Sequence, residues 1–155
     1  RVTMQRFHFR LQKLLDLRAF REKEAETNLG RAIAARESIV LHLAEIAKAE
    51  VRTRQSLKVS ARTSEDLTIH GNYLERLHEE REKQLKALAE AELVIERMRG
   101  LYIKAHQERL IVTKLRERKE VQWRADWLKQ QDAMLDDMIN AQEYRKMEER
   151  RRKAL

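Results

Sequence analysis

Residues 11–50 read LQKLLDLRAFREKEAETNLGRAIAARESIVLHLAEIAKAE, and the spacing of their apolar side chains decides the fold. Stepping alternately by 4 and 3 from Leu11 lands on Leu11, Leu15, Arg18, Glu22, Ala25, Leu29, Ala32, Arg36, Ile39, Leu43, Ile46 and Glu50. Eight of those twelve positions are apolar. A stripe that returns every 3.5 residues keeps facing one partner helix, which is the seam of a coiled coil. Arg18, Glu22, Arg36 and Glu50 interrupt it, and polar groups in a seam cost stability and often set register.

A second stripe begins at Leu74 and runs through Leu77, Arg81, Gln84, Leu88, Ala91, Ile95, Met98, Tyr102, Ala105, Arg109 and Val112. Nine of these twelve positions are apolar. Between the two stripes lie Ser60, Thr63, Ser64, Gly71 and Asn72, the densest turn chemistry in the chain. Thr63 followed by Asp66 three residues on resembles a capping box, in which hydroxyl and carboxylate satisfy the free N–H groups of a helix start. A short helical piece ahead of Gly71-Asn72 is compatible with this spacing. The reading is therefore a single all-α coiled-coil domain over residues 1–155. It consists of a helix over about 5–58, a turn over about 59–66 and a helix over about 67–150.

Composition supports few, long helices. The chain has 155 residues with 3 Gly, no Pro and no Cys, and 39% of its residues are charged. Compact domains draw on turn residues every dozen positions, and this sequence lacks them. A long helix is stable in water only where its apolar stripe is buried. Two stripes joined by a short loop bury each other most simply, which predicts a long two-helix antiparallel hairpin. At 1.5 Å per residue the helices measure roughly 75 and 125 Å, so the second overhangs the first by about 30 residues. An extended helix that dimerises with a second copy is the competing arrangement.

Catalytic and metal chemistry find no footing. The five histidines, His8, His42, His70, His78 and His106, include no pair spaced i, i+3 or i, i+4, so no two share a metal on one helical face. The His78-Glu79-Glu80-Arg81-Glu82 run lacks the second histidine of a zinc motif and reads as surface charge. Asp136 and Asp137 point about 100° apart on a helix and do not converge. No Gly-rich phosphate loop is present, and a two-helix rod offers no concave pocket that excludes water. The expectation is a protein without enzymatic activity, metal or cofactor. No run of about 18 apolar residues occurs to span a membrane. The Arg1-Val2-Thr3-Met4 start lacks a signal-peptide core, with Met4 as the expected natural start and the cytoplasm as the expected location.

The formal charge of +8 is unevenly spread. Residues 1–21 carry six basic groups and one acidic, residues 114–155 carry twelve and nine, and residues 22–113 carry sixteen of each. In a hairpin the two basic segments meet at its base. Trp123 and Trp127, at i, i+4, share a helical face there; they either pack on Phe7 or Phe9 or anchor a partner. Tyr73 at the tip has the same two readings. Acids are interleaved among the terminal cations and no nucleic-acid motif is present, so Arg150-Arg151-Arg152-Lys153 reads as a solvated face and nucleic acid is not expected as a partner.

Three segments carry a resemblance. Phe7-His8-Phe9-Arg10-Leu11-Gln12-Lys13-Leu14-Leu15-Asp16-Leu17-Arg18 is similar to the N-terminal signature of the FliJ flagellar export proteins, an aromatic pair followed by LQxLLxLR. Lys114-Leu115-Arg116-Glu117-Arg118-Lys119 resembles the KLKER stretch of their second helix. The span from Asp132 to Met138, centred on Leu135-Asp136, resembles their late LDE segment, with Asp137 where Glu is usual. The order and spacing of the three cover nearly the whole chain.

The resemblance implies a cytoplasmic, monomeric coiled coil of type III secretion, similar to the central stalk of rotary ATPases and peripheral to the inner membrane through its partners. It implies binding to the hexameric export ATPase FliI through the end that carries both termini: Leu14, Leu15, Arg18, Arg21, Trp123, Trp127 and Met134. It also implies contact with the export-gate protein FlhA through the tip at Tyr73 and Leu77, and export chaperones or substrates as further partners. Family members often carry aromatics in the first helix near the tip; here Ile46, Val51 and Leu57 stand instead. A generic dimerising scaffold and an injectisome stalk protein of the same architecture are the alternatives.

Overall fold

The computed structural model describes residues 5–60 and 62–155. Arg1–Met4, with the expected start and one of the N-terminal cations, and Ala61 in the turn lie outside the described residues. Two helices, α1 (Gln12–Ser60) and α2 (Ser64–Ala154), make up the regular structure of the described residues. The protein is all-α, a two-helix antiparallel coiled-coil hairpin.

Local hydrogen bonds mark the two helix ends at the reversal. At the end of α1 the Ser60 hydroxyl donates to the Ser56 carbonyl at 2.8 Å. Thr63 caps α2: its Oγ1 accepts the Asp66 N–H at 3.1 Å, and its carbonyl accepts the Leu67 N–H at 3.3 Å. The Thr63 hydroxyl, followed by the backbone N–H groups of Arg62 and Thr63, holds the Asp66 carboxyl below its ordinary range. Glu65 and Asp66 also place negative charge at the positive end of the helix dipole. The helix continues through Gly71 and Asn72 without a break.

The chain divides into two compact units, residues 18–108 and the described part of residues 1–17 with 109–155. In the 18–108 unit, numbers rise along α1 as they fall along α2. Arg18 pairs with Glu108, Glu22 Oε1 lies 3.1 Å from His106 Nδ1, Arg36 lies 3.6 Å from Glu92, and His42 lies 3.3 Å from Glu80. Three of the four polar residues that interrupt the first stripe thus meet a complementary group across the seam. Between them the stripe is apolar, with Ile46 4% and Ile95 2% exposed. One turn along each helix from the Arg36–Glu92 bridge, Ala32 comes level with Ile95, a small residue opposite a large one, and both are buried. Thr53 is buried too, its hydroxyl satisfied by the Ala49 carbonyl at 2.8 Å.

Two seam positions, Leu11 and Arg81, differ from the expected stride, and Leu11 is 38% exposed. Arg81 is exposed, and its neighbour Glu80 turns to the seam, where it accepts from the Gln84 amide at 3.0 Å and meets His42. These two contacts, Gln84 first, hold the Glu80 carboxyl below its ordinary range.

In the other unit α1 begins only at Gln12, and residues 5–9 are non-helical. A helix would throw Phe7 and Phe9 about 200° apart, whereas an extended chain returns to the same side every second residue. Phe9 is buried at 6% exposure, and the Phe7 ring lies 6.0 Å from Trp123, tilted by 54°. The Arg116 guanidinium sits 5.8 Å from the Phe7 ring centroid. The Phe9 carbonyl accepts the Gln12 N–H at 3.1 Å and opens α1. Along α2 the half-buried positions end at Gln131, and residues 132–155 are exposed throughout.

Removing the seam's best-buried side chain, Ile95→Ala, should cost about 3 kcal/mol in chemical denaturation. Overfilling the same level with Ala32→Leu should cost about 1–3 kcal/mol. Gly100 lies in open helix with nothing within 4 Å of an added Cβ, so Gly100→Ala should stabilise by about 1 kcal/mol. Asp66 and Glu80 titrate lower folded than their ordinary values of 3.8 and 4.5, so their contribution is complete above those values and lost as pH falls through the folded ones. Thermal melts should drop between pH 5 and 3, and the double variant Asp66→Asn with Glu80→Gln should show a smaller drop.

Candidate functional site

In the unit of both chain ends, Trp123 and Trp127 project from one face of α2, because positions four apart lie one above the other on a helix. Phe7 covers part of Trp123, and both tryptophans remain half-buried. Beside them opens a groove of about 450 Å³ lined by Gln5, Trp123, Asp126, Trp127, Gln130, Gln131 and Met134. Met134 is 46% exposed at its edge. Aromatic faces and a thioether give the groove an apolar floor, and three amides and a carboxylate give it hydrogen-bonding walls. Such a surface takes an apolar side chain together with adjacent backbone polar groups. A second hollow, of about 480 Å³, lies over the Phe7–Leu11 segment and Leu115, Lys119 and Trp123.

Of the residues expected at the base, Leu14 and Leu15 are half-buried in this same unit. Arg18 and Arg21 belong to the 18–108 unit. There Arg18 is a seam residue, its guanidinium paired with Glu108 and its Nε buried without a hydrogen bond, while Arg21 is exposed. The three glutamines were absent from the sequence-level expectation. Their signal was the polar repeat Gln130-Gln131 one turn after Trp127, which periodicity alone reads as surface.

At the tip, Tyr73 is 41% exposed, with the Arg76 guanidinium 6.0 Å from its ring centroid. Leu77 is half-buried. Tyr73 borders a groove of about 270 Å³ across the two helices, lined also by Arg52, Thr53, Ser56, Ile69 and His70. The His70 Nδ1–H donates to the Asp66 carbonyl at 2.7 Å, which leaves Nε2 as its free nitrogen. Val59 and Leu67 are exposed apolar neighbours.

No group of three His, Asp or Glu able to hold a metal occurs among the described residues. No helix there is long and apolar enough to cross a membrane.

The family model described as "Flagellar FliJ protein" matches residues 7–149, from the Phe7-His8-Phe9 segment to the exposed end of α2. No curated protein and no solved structure matches. With nearly the whole chain covered and the two-helix hairpin in place, the chain belongs to the FliJ family, coiled-coil proteins of flagellar export.

Proposed function

We propose that this chain is a stalk-like, non-catalytic component of the flagellar type III export apparatus. It binds the hexameric export ATPase FliI through Leu14, Leu15, Arg21, Trp123, Trp127 and Met134, and the export gate FlhA through the tip at Tyr73 and Leu77. It stays monomeric, cytoplasmic and attached to the inner-membrane apparatus through these partners. The carrying observation is the family match, which runs through the aromatic N-terminal segment and α2 to residue 149. The groove beside Trp123 and Trp127 supports it: an apolar floor left open on a helix face suits an inserted side chain of a partner. The excess of cations in residues 1–21 and 114–155 is consistent with it, since basic segments would be drawn into a ring lumen if that lumen carries acidic groups. Arg18, which the resemblance also implied for this contact, is engaged in the seam, where its head group is held by Glu108.

Adding the purified chain to its export ATPase should raise ATP turnover or hexamer formation. Trp127→Ala and Met134→Glu should weaken that stimulation about tenfold, as loss of a central aromatic or apolar anchor does. Far-UV circular dichroism melts should stay close to the parent's. Arg21→Glu, at an exposed position, is the cleaner test of the basic surface than Arg18→Glu, which also breaks a seam pair. Full stimulation by all three variants would remove the base assignment. Sedimentation as an elongated dimer would favour the scaffold reading.

A further inference from the structure

Residues 22–113 are neutral in sum, yet the last turns of α1 at the tip are not. Residues 51–62 hold Arg52, Arg54, Lys58 and Arg62 and no carboxylate. Elsewhere in the same unit several cations bridge an acid: Lys23 with Glu26, Arg36 with Glu37 and Glu92, Lys48 with Glu45, and Arg99 with Glu96. The four tip cations are exposed and make no ion pair among the described residues. Of the two acids that follow them, Asp66 is committed to the helix cap. A concentration of unpaired like charge repels itself, and it is relieved by an anion from outside.

The groove beside these cations has matching chemistry. Arg52 and Ser56 come from α1, and His70 and Tyr73 from α2; no carboxylate lines it. The Thr53 hydroxyl is spent on the Ala49 carbonyl and His70 Nδ1–H on the Asp66 carbonyl. What remains is the Arg52 guanidinium, the Ser56 and Tyr73 hydroxyls, His70 Nε2 and the apolar side of Ile69. Its volume of about 270 Å³ falls below the usual range for a small-molecule site and suits a single side chain. Arg54, Lys58 and Arg62 extend the positive surface along the same end of α1 and into the turn.

We propose that this groove seats a glutamate or aspartate side chain from an acidic segment of a partner protein. Arg52 pairs with the carboxylate, Ser56 and Tyr73 donate to it, and Ile69 packs on the neighbouring apolar residue. The proposal rests on the tip being a partner-contact end, and it names the chemistry of that contact.

The test is titration of the 15N-labelled full chain with a decapeptide alternating glutamate and leucine, and with its glutamine counterpart. The glutamate peptide should shift the backbone amides of Arg52, Ser56, His70 and Tyr73, and the glutamine peptide should not. Arg52→Glu should weaken binding about tenfold, as loss of a charge-assisted hydrogen bond does, whereas Arg151→Glu should leave it unchanged. Equal shifts at residues 150–153, equal binding of the glutamine peptide, or no shift at about 1 mM peptide would overturn the proposal. So would tighter engagement of the tip by single-stranded DNA or phosphatidylglycerol vesicles. Retained ATPase stimulation without peptide binding removes the groove assignment alone. Peptide binding by a chain that fails to stimulate the ATPase supports the groove and removes the export reading.

Discussion

A hairpin of two helices has one internal interface, and every other contact in this protein depends on that seam being buried in register. No third layer shields it, so a side chain fully covered by its neighbours is rare. Among the described residues the buried apolar set consists of Phe9, Ala32, Ile46, Ile95 and Val112. With so few anchors, apolar burial fixes that the helices pair but only weakly fixes how. A slide by one heptad would again place seam positions opposite seam positions. The polar pairs between α1 and α2 oppose that freedom. Arg18, Glu22 and Arg36 alternate in sign, and their partners Glu108, His106 and Glu92 answer in order. A shifted register would place unlike partners out of reach and leave half-buried charges unpaired. Each pair stabilises little by itself, since all are partly solvated, but the penalty for mispairing makes them determinants of alignment.

Much of the seam was legible in the sequence because a 3.5-residue stride is a property of the chain alone. Positions from Leu15 to Glu50 fall where that stride puts them. The departures arise where a residue's environment comes from elsewhere. At Arg81 the stride points to a cation, yet Glu80 takes the place because His42 and Gln84 are there to meet a carboxylate. At residues 5–9 local propensity competes with burial of two phenylalanines, and the non-helical form wins because Phe9 can be covered and Phe7 can meet Trp123. Neither choice is visible without the partner strand of the hairpin.

The candidate surfaces were less legible than the fold, for a related reason. Trp123 and Trp127 announce themselves by rarity, but the glutamines that wall their groove are ordinary surface residues until a groove exists. The charge of the tip was hidden by averaging. A neutral count over residues 22–113 conceals four cations in residues 51–62, a stretch without a carboxylate.

The exposed end of α2 extends the same logic. Residues 132–154 remain helical although none is covered. An isolated helix of that length is marginal in water, so its order must come from local terms and from continuity with the packed part. Glu148 stands four residues before Arg152 and Glu149 four before Lys153, the favourable orientation for i, i+4 pairs. Arg151, Arg152 and Lys153 meet the negative end of the helix dipole. These terms favour the helix, while Leu135, Met138 and Met147 stay exposed. Any partner that met this end of α2 would find exposed apolar side chains on a helix already formed, and ordering it would add no cost to binding.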